Sequence, residues 1–136
     1  MKTSRRDLGI LIPFFAAAAA QAQAPSQPST TWRFEDLPLK GKTRAVFAGK
    51  THGGFEVELH ETELAPGDAP HASHQHVHEE MILIRQGTME VTIAGKSSRI
   101  GPGGVAFVAS NEMHGWKNVG NDRSHYFVVA FRGSKA

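Results

Sequence analysis

The feature that most constrains this chain is a two-residue alternation of apolar and polar side chains, recurring in short runs. Phe55, Val57 and Leu59 alternate with Glu56, Glu58 and His60, and Met89, Val91 and Ile93 alternate with Glu90 and Thr92. Val105, Phe107 and Ala109 follow the same period, as do Phe127, Val129 and Phe131. A period of two is that of an extended strand, whose successive side chains point to opposite faces. Turn chemistry separates the runs: Pro66-Gly67-Asp68, Ala94-Gly95-Lys96, Gly101-Pro102-Gly103-Gly104, and Asn118 to Asp122. Many short strands at this spacing predict an all-β domain, an antiparallel sandwich or barrel. Beyond the first 24 residues no segment keeps a helical period. Met81 to Ile84 is apolar on both faces, so one face belongs to the core. The other is to be covered by a second sheet or by a partner subunit.

The chain has 136 residues, enough for one domain and not two. Residues 1–24 show the layout of a secretory signal peptide: a charged start, an apolar stretch from Leu8 to Ala20, then small residues in an A-x-A pattern. The apolar part is shorter than the roughly 20 residues of a membrane span. Cleavage fits after Ala22 or after Ala24, with the first preferred because Pro25 would follow the second. Ser4-Arg5-Arg6-Asp7-Leu8 resembles a twin-arginine signal, a route that carries folded proteins, and an ordinary secretory signal is the alternative. Export to the periplasm or the exterior is therefore expected. Residues 25–31 are rich in Pro, Ser and Thr and read as a flexible linker, leaving 32–136 as the domain.

Lys2, Arg5, Arg6 and Asp7 account for the whole net charge of +2; the remainder holds twelve basic and twelve acidic residues. A neutral domain without a basic stripe has no electrostatic footprint for nucleic acid or an anionic membrane. The chain has no cysteine, which excludes disulfides and thiolate metal sites.

Residues 71–80 read HASHQHVHEE. In an extended strand His74 and His76 would share a face, under about 7 Å apart along the backbone, and two imidazoles so placed can converge on one ion. Glu80 lies at even spacing and can add an oxygen ligand. A further ligand must come from a neighbouring strand, and His114, after the Val105–Ala109 run, is the best candidate. His71 and His78 read as rim residues, with His78 an alternative ligand or a supporting donor. His52, His60 and His125 are single polar side chains. Met113 and Trp116 flank His114 and can wall a pocket or simply pack.

These residues carry a family resemblance. His74-x-His76-x-x-x-Glu80, six residues and then Gly87, resembles the first motif of the cupin superfamily. Pro102-x-Gly104, then His114, then three residues to Asn118, resembles the second. Gly67 stands one residue further from the first histidine than is usual, and the Gly104 to His114 stretch is longer than in the strict motif. The resemblance implies a double-stranded β-helix, a small jelly-roll-like barrel of six to eight strands. It implies that His74, His76, Glu80 and His114 are the metal ligands. It also implies that Gly87 and Gly104 occupy bends where a side chain would hinder the backbone.

Three imidazoles and one carboxylate suit a single divalent transition metal: manganese, iron, zinc, nickel, cobalt or copper. Four protein ligands on an octahedral ion leave two positions for water or for a small-molecule ligand. A metal-dependent enzyme of dioxygenase, isomerase, decarboxylase or lyase type is the leading expectation, and a non-catalytic small-molecule binder is the alternative. Glu58, His60, Arg85, Arg99, His125 and Tyr126 are acid–base candidates without a motif, so no catalytic residue is assigned. A homodimer is expected to help a domain of this size bury surface.

Overall fold

A computed structural model describes residues 26–133. The expected signal peptide lies outside the described residues. Residues 26–31 form no regular element, and the Gln27 amide donates to the Lys50 carbonyl at 3.1 Å. A 3-10 turn at Phe34–Asp36 precedes eight strands. These are β1 (Thr43–Lys50), β2 (Glu56–Leu64), β3 (Glu79–Gln86), β4 (Met89–Ile93), β5 (Lys96–Ile100), β6 (Val105–Val108), β7 (His114–Asn118) and β8 (Ser124–Arg132). They make a five-stranded sheet in the order β1-β2-β8-β3-β6 and a three-stranded sheet in the order β5-β4-β7. All pairings are antiparallel, giving the expected all-β, jelly-roll-like barrel.

Local chemistry explains the turns. Ala94 and Gly95 both have positive φ, 48° and 80°, the left-handed geometry of a tight two-residue hairpin that matches strand twist. At Gly87 (φ 89°) an added Cβ would lie 2.8 Å from Ser124 Cβ and 2.9 Å from Ser124 Cα. Only glycine lets β3 turn into β4 that close to the start of β8. At Gly104 a Cβ would meet the Gly101 carbonyl oxygen at 2.8 Å, so both expected bend glycines have steric reasons.

The sheets close on a core of Leu64, Ile82, Ile84, Met89, Val91, Val108, Trp116, Tyr126 and Val128. Trp116 Nε1 donates to the Tyr126 hydroxyl at 3.0 Å, satisfying two polar groups inside that core. Asn118 is fully buried at the end of β7. Its amide donates to the Leu64 and Asp122 carbonyls at 3.0 and 2.7 Å, fixing the β7–β8 turn against the end of β2.

Which face turns inward is not given by the alternation. In the five-stranded sheet the inward side carries Glu58, His60, Thr62 and Leu64 of β2, Tyr126, Val128 and Ala130 of β8, Glu80, Ile82 and Ile84 of β3, and Ala106 and Val108 of β6. The apolar alternates Val57, Leu59, Val105, Phe107, Phe127, Val129 and Phe131 lie on the outer face, where Val105 and Phe107 remain half exposed. Met81 to Ile84 divides in the same way: Ile82 and Ile84 are core, while Met81 and Leu83 point away from the second sheet.

Candidate metal centre

His114 is the first residue of β7, and its backbone exchanges two 2.9 Å hydrogen bonds with His74. His74 is therefore positioned by a single bridge rather than by a regular strand, which corrects the extended-strand expectation for 74–76; β3 begins only at Glu79. Gly115 permits this approach, since a Cβ there would lie 2.5 Å from Ser73 Oγ and 3.2 Å from Ser73 Cα. The Asn111 amide donates to the His76 carbonyl at 2.8 Å and holds the segment between bridge and strand. Glu80, on β3, faces the interior and is buried.

Each of the three histidines places Nδ1 against a backbone carbonyl two residues away. His74 reaches Ala72 at 3.2 Å, His76 reaches His78 at 2.8 Å, and His114 reaches Glu112 at 2.8 Å. A carbonyl only accepts, so each Nδ1–H donates, which leaves Nε2 as the ring atom that can face an ion once it carries no proton. The three rings meet with centroids 4.7 to 5.0 Å apart, and one nitrogen from each lies within 4.8 Å of the others. Glu80 Oε1 is 2.7 Å from His114 Nε2 and 3.2 Å from His76 Nε2. Atoms sharing an ion at about 2.1 Å each are about 3.0 Å apart at right angles, so these separations are those of ligand edges.

The buried His114 Nε2 tests the fit to a metal. It lies close to Glu80 Oε1 yet lacks an aligned hydrogen-bond partner. A buried lone pair beside a carboxylate oxygen with no proton aligned between them is costly unless a cation joins them. The donor set of three imidazoles and a carboxylate fits one divalent transition ion.

The charges of the ion-free cluster act differently on each residue. Burial pushes the His74 imidazole down, and the charges of His71, His114 and His76 lower it further against the Ala72 carbonyl. Burial also opposes charge on His114, but the Glu80 carboxylate and the Glu112 carbonyl outweigh it, so this ring is held above its ordinary value. Glu80 is burdened by burial and still held below the usual carboxylate range by His114, His76 and His78. His78 stacks on His76 with centroids 3.6 Å apart, and burial with the neighbouring His76 pushes it down to about 4.

The other sequence candidates separate by location. His71 lies against His74 and Trp116 at the edge of the cluster. His78 forms an alternative group with His76 and Glu80, so a supporting position and an alternative ligand position are both compatible with its place. Met113 is half exposed, whereas Trp116 is buried and stacks 5.7 Å from His114, so only the tryptophan backs the cluster. Arg85 lies over the Phe34 ring on the outer face, Arg99 faces Glu90 in solvent, and Tyr126 is committed to Trp116. His52 rests against Ser26. Glu58 and His60 are on the inward side, hydrogen-bonded at 2.9 Å.

A second cluster is not anticipated from the sequence. Glu61 is fully buried on the outer side of β2, 2.8 Å from Arg44 Nη1 and 2.7 Å from His125 Nδ1. Glu63 completes it at 3.1 Å from the same guanidinium, which already occupies the space between the two carboxylates. Glu61 at an apolar-phase position beside Leu59 is the signal that could have found it. A concavity of 310 Å³ lies elsewhere, between His71, Ser73, Glu90, Thr92, Gly115 and Lys117.

The sequence matches the family model of the cupin domain over residues 60–130. No curated protein matches it. Among solved structures, the fold is similar to an RmlC-like cupin from Shewanella frigidimarina (TM-score 0.60, 16% identity, 82% of this chain and 97% of the other). It is also similar to a predicted oxalate decarboxylase from Thermotoga maritima (TM-score 0.56, 22% identity, 74% and 97%). A candidate sugar phosphate isomerase from Acidithiobacillus ferrooxidans is similar too (TM-score 0.52, 22% identity, 56% of this chain), and the chain spans 50% of that protein's length. At these identities the likeness is one of fold.

Proposed function

Because the chain belongs to the cupin family, we propose that it is a metal-dependent enzyme acting on a small organic molecule, with one divalent transition metal held by His74, His76, Glu80 and His114. The observation that carries this reading is the convergence of three imidazoles, each with its Nδ1–H turned to a carbonyl, beside the buried Glu80 carboxylate, which lies against His76 and His114. When bound, such a metal polarises a carbonyl or carboxylate oxygen or lowers the pKa of a bound water. The chain's own residues set the ligand geometry and shield one side of it with Trp116. The chemistry named for two structural relatives, on oxalate and on sugar phosphates, supports a small oxygen-rich substrate. Elemental analysis of the purified protein beside His76→Ala and His114→Ala tests the reading. About one metal per chain, lost in both variants, is expected; a native protein that takes up no metal after reloading would remove the mechanism.

We also propose export: the layout of residues 1–24 supports removal of a signal peptide and a periplasmic or extracellular location. The outer face of the five-stranded sheet, with Leu83, Val105 and Phe107 uncovered, supports the expected homodimer, the second copy covering what the second sheet does not.

A further inference from the structure

On the same sheet as Glu80, two strands away, stands a polar pair that the four ligands do not use. Glu58 of β2 is in register with Ala130 of β8, and Ala130 with Glu80 of β3. Two inter-strand steps of about 4.8 Å separate the backbones of the two glutamates. All three residues face the interior, with the small, buried Ala130 side chain between the two glutamates. His60 is the next inward residue of β2, and its Nδ1 lies 2.9 Å from Glu58 Oε1. A carboxylate only accepts, so His60 Nδ1–H donates, and the carboxylate of Glu58 has lone pairs for further donors.

The position is that of a ligand-facing pair. Deeper on the same strand Thr62 and Leu64 are buried, whereas the Glu58 and His60 side chains stay 19% and 21% exposed, at the open end of the barrel. Neither is needed to neutralise a buried partner. The Glu58 charge also acts on His78, which stacks on His76, so the pair and the histidine cluster share one space.

Resting on the metal-centre reading above, the geometry points to Glu58 as a hydroxyl-accepting subsite, with His60 as its positioning residue. The ligand class is a small hydroxy acid or hydroxy ketone. Its carboxylate or carbonyl oxygen goes to the metal side, and its hydroxyl hydrogen goes to Glu58. An ammonium donor fits less well, because the metal and the histidines make the opposite wall positive.

The experiment uses the full chain loaded with Co(II), whose visible absorption reports ligands entering its coordination sphere. Glycolate is titrated against methoxyacetate, which keeps the ether oxygen and loses the hydroxyl hydrogen. The wild type is expected to favour glycolate by about 10-fold, the scale of one hydrogen bond to a charged group. Glu58→Ala is expected to reduce the preference to within about threefold while retaining its Co(II) and its affinity for methoxyacetate. Glu58→Gln, which preserves the shape, carries the comparison should the alanine variant not fold, with an intermediate preference expected. An unchanged preference in these variants, or none in the wild type, overturns the assignment of Glu58. Failure of the wild type to bind Co(II) at all is a separate outcome, in which the metal-centre reading falls first and takes the subsite with it.

Discussion

Gly115→Ala tests how the site is built. The added Cβ would lie 2.5 Å from Ser73 Oγ and 3.2 Å from Ser73 Cα. The hydroxyl can rotate away, but the crowding against the Ser73 main chain is relieved only if that main chain moves by a few tenths of an ångström, and it is one residue from His74. The paired His74–His114 hydrogen bonds, both 2.9 Å, take the strain. Overpacking of this kind costs about 1–2 kcal/mol of folding stability. Ligand positions tolerate about 0.2 Å, so metal affinity should fall by about 10-fold or more. Gly95→Ala is the control: its Cβ meets nothing within 4 Å, although its φ of 80° is strained, so it should cost about 1 kcal/mol of stability and leave metal affinity unchanged. Urea unfolding of the metal-free proteins and chelator-competition titration measure the two effects. If Gly115→Ala held metal as tightly as wild type, the bridge would not be what positions His74.

Three further outcomes are expected. Metal affinity should begin to weaken as pH falls through the raised value of His114, above 6.5, and continue as the other ligands protonate, which competition titrations from pH 8 to about 5 would follow. For the metal-free protein the signs differ by residue. His114, raised, stabilises fully below 6.5 and loses that contribution as pH rises; His74 and His78, lowered, destabilise progressively as pH drops from 6.5 towards about 4, so melting temperature should fall across that window. Trp116→Phe leaves the buried Tyr126 hydroxyl without its donor and should cost about 1–3 kcal/mol in urea unfolding; a loss near zero would mean that water replaces the indole. If the proposed homodimer forms, Phe107→Glu should convert it to a monomer in sedimentation velocity, and a wild type that sediments as a monomer at all concentrations would rule out the dimer proposal.

Strand positions and turns were legible because period-two alternation and glycine–proline punctuation are local. Ala94-Gly95 and Gly87 stand where turns were expected, for steric reasons. The inward face was not legible. In β2 the apolar alternates Val57 and Leu59 point outward while Glu58 and His60 point in, because a barrel with a polar open end inverts the usual rule there. Spacing pointed to His74, His76, Glu80 and His114; the three rings do meet, with Glu80 against His76 and His114, but the means was not legible: a lone bridge and carbonyl partners at Ala72, His78 and Glu112 orient the rings. Such interactions depend on tertiary placement and leave no pattern in sequence. The same holds for Arg44, Glu61 and His125, which meet across three strands.

X-ray absorption spectroscopy of the metal-loaded, processed protein tests the central claim most directly. The account predicts three imidazole nitrogens and one carboxylate oxygen at about 2.0–2.2 Å, with the remaining positions filled by light atoms from solvent. It also predicts the loss of one imidazole in His114→Ala. A first shell with fewer than two imidazoles, or one unchanged by His114→Ala, would contradict it.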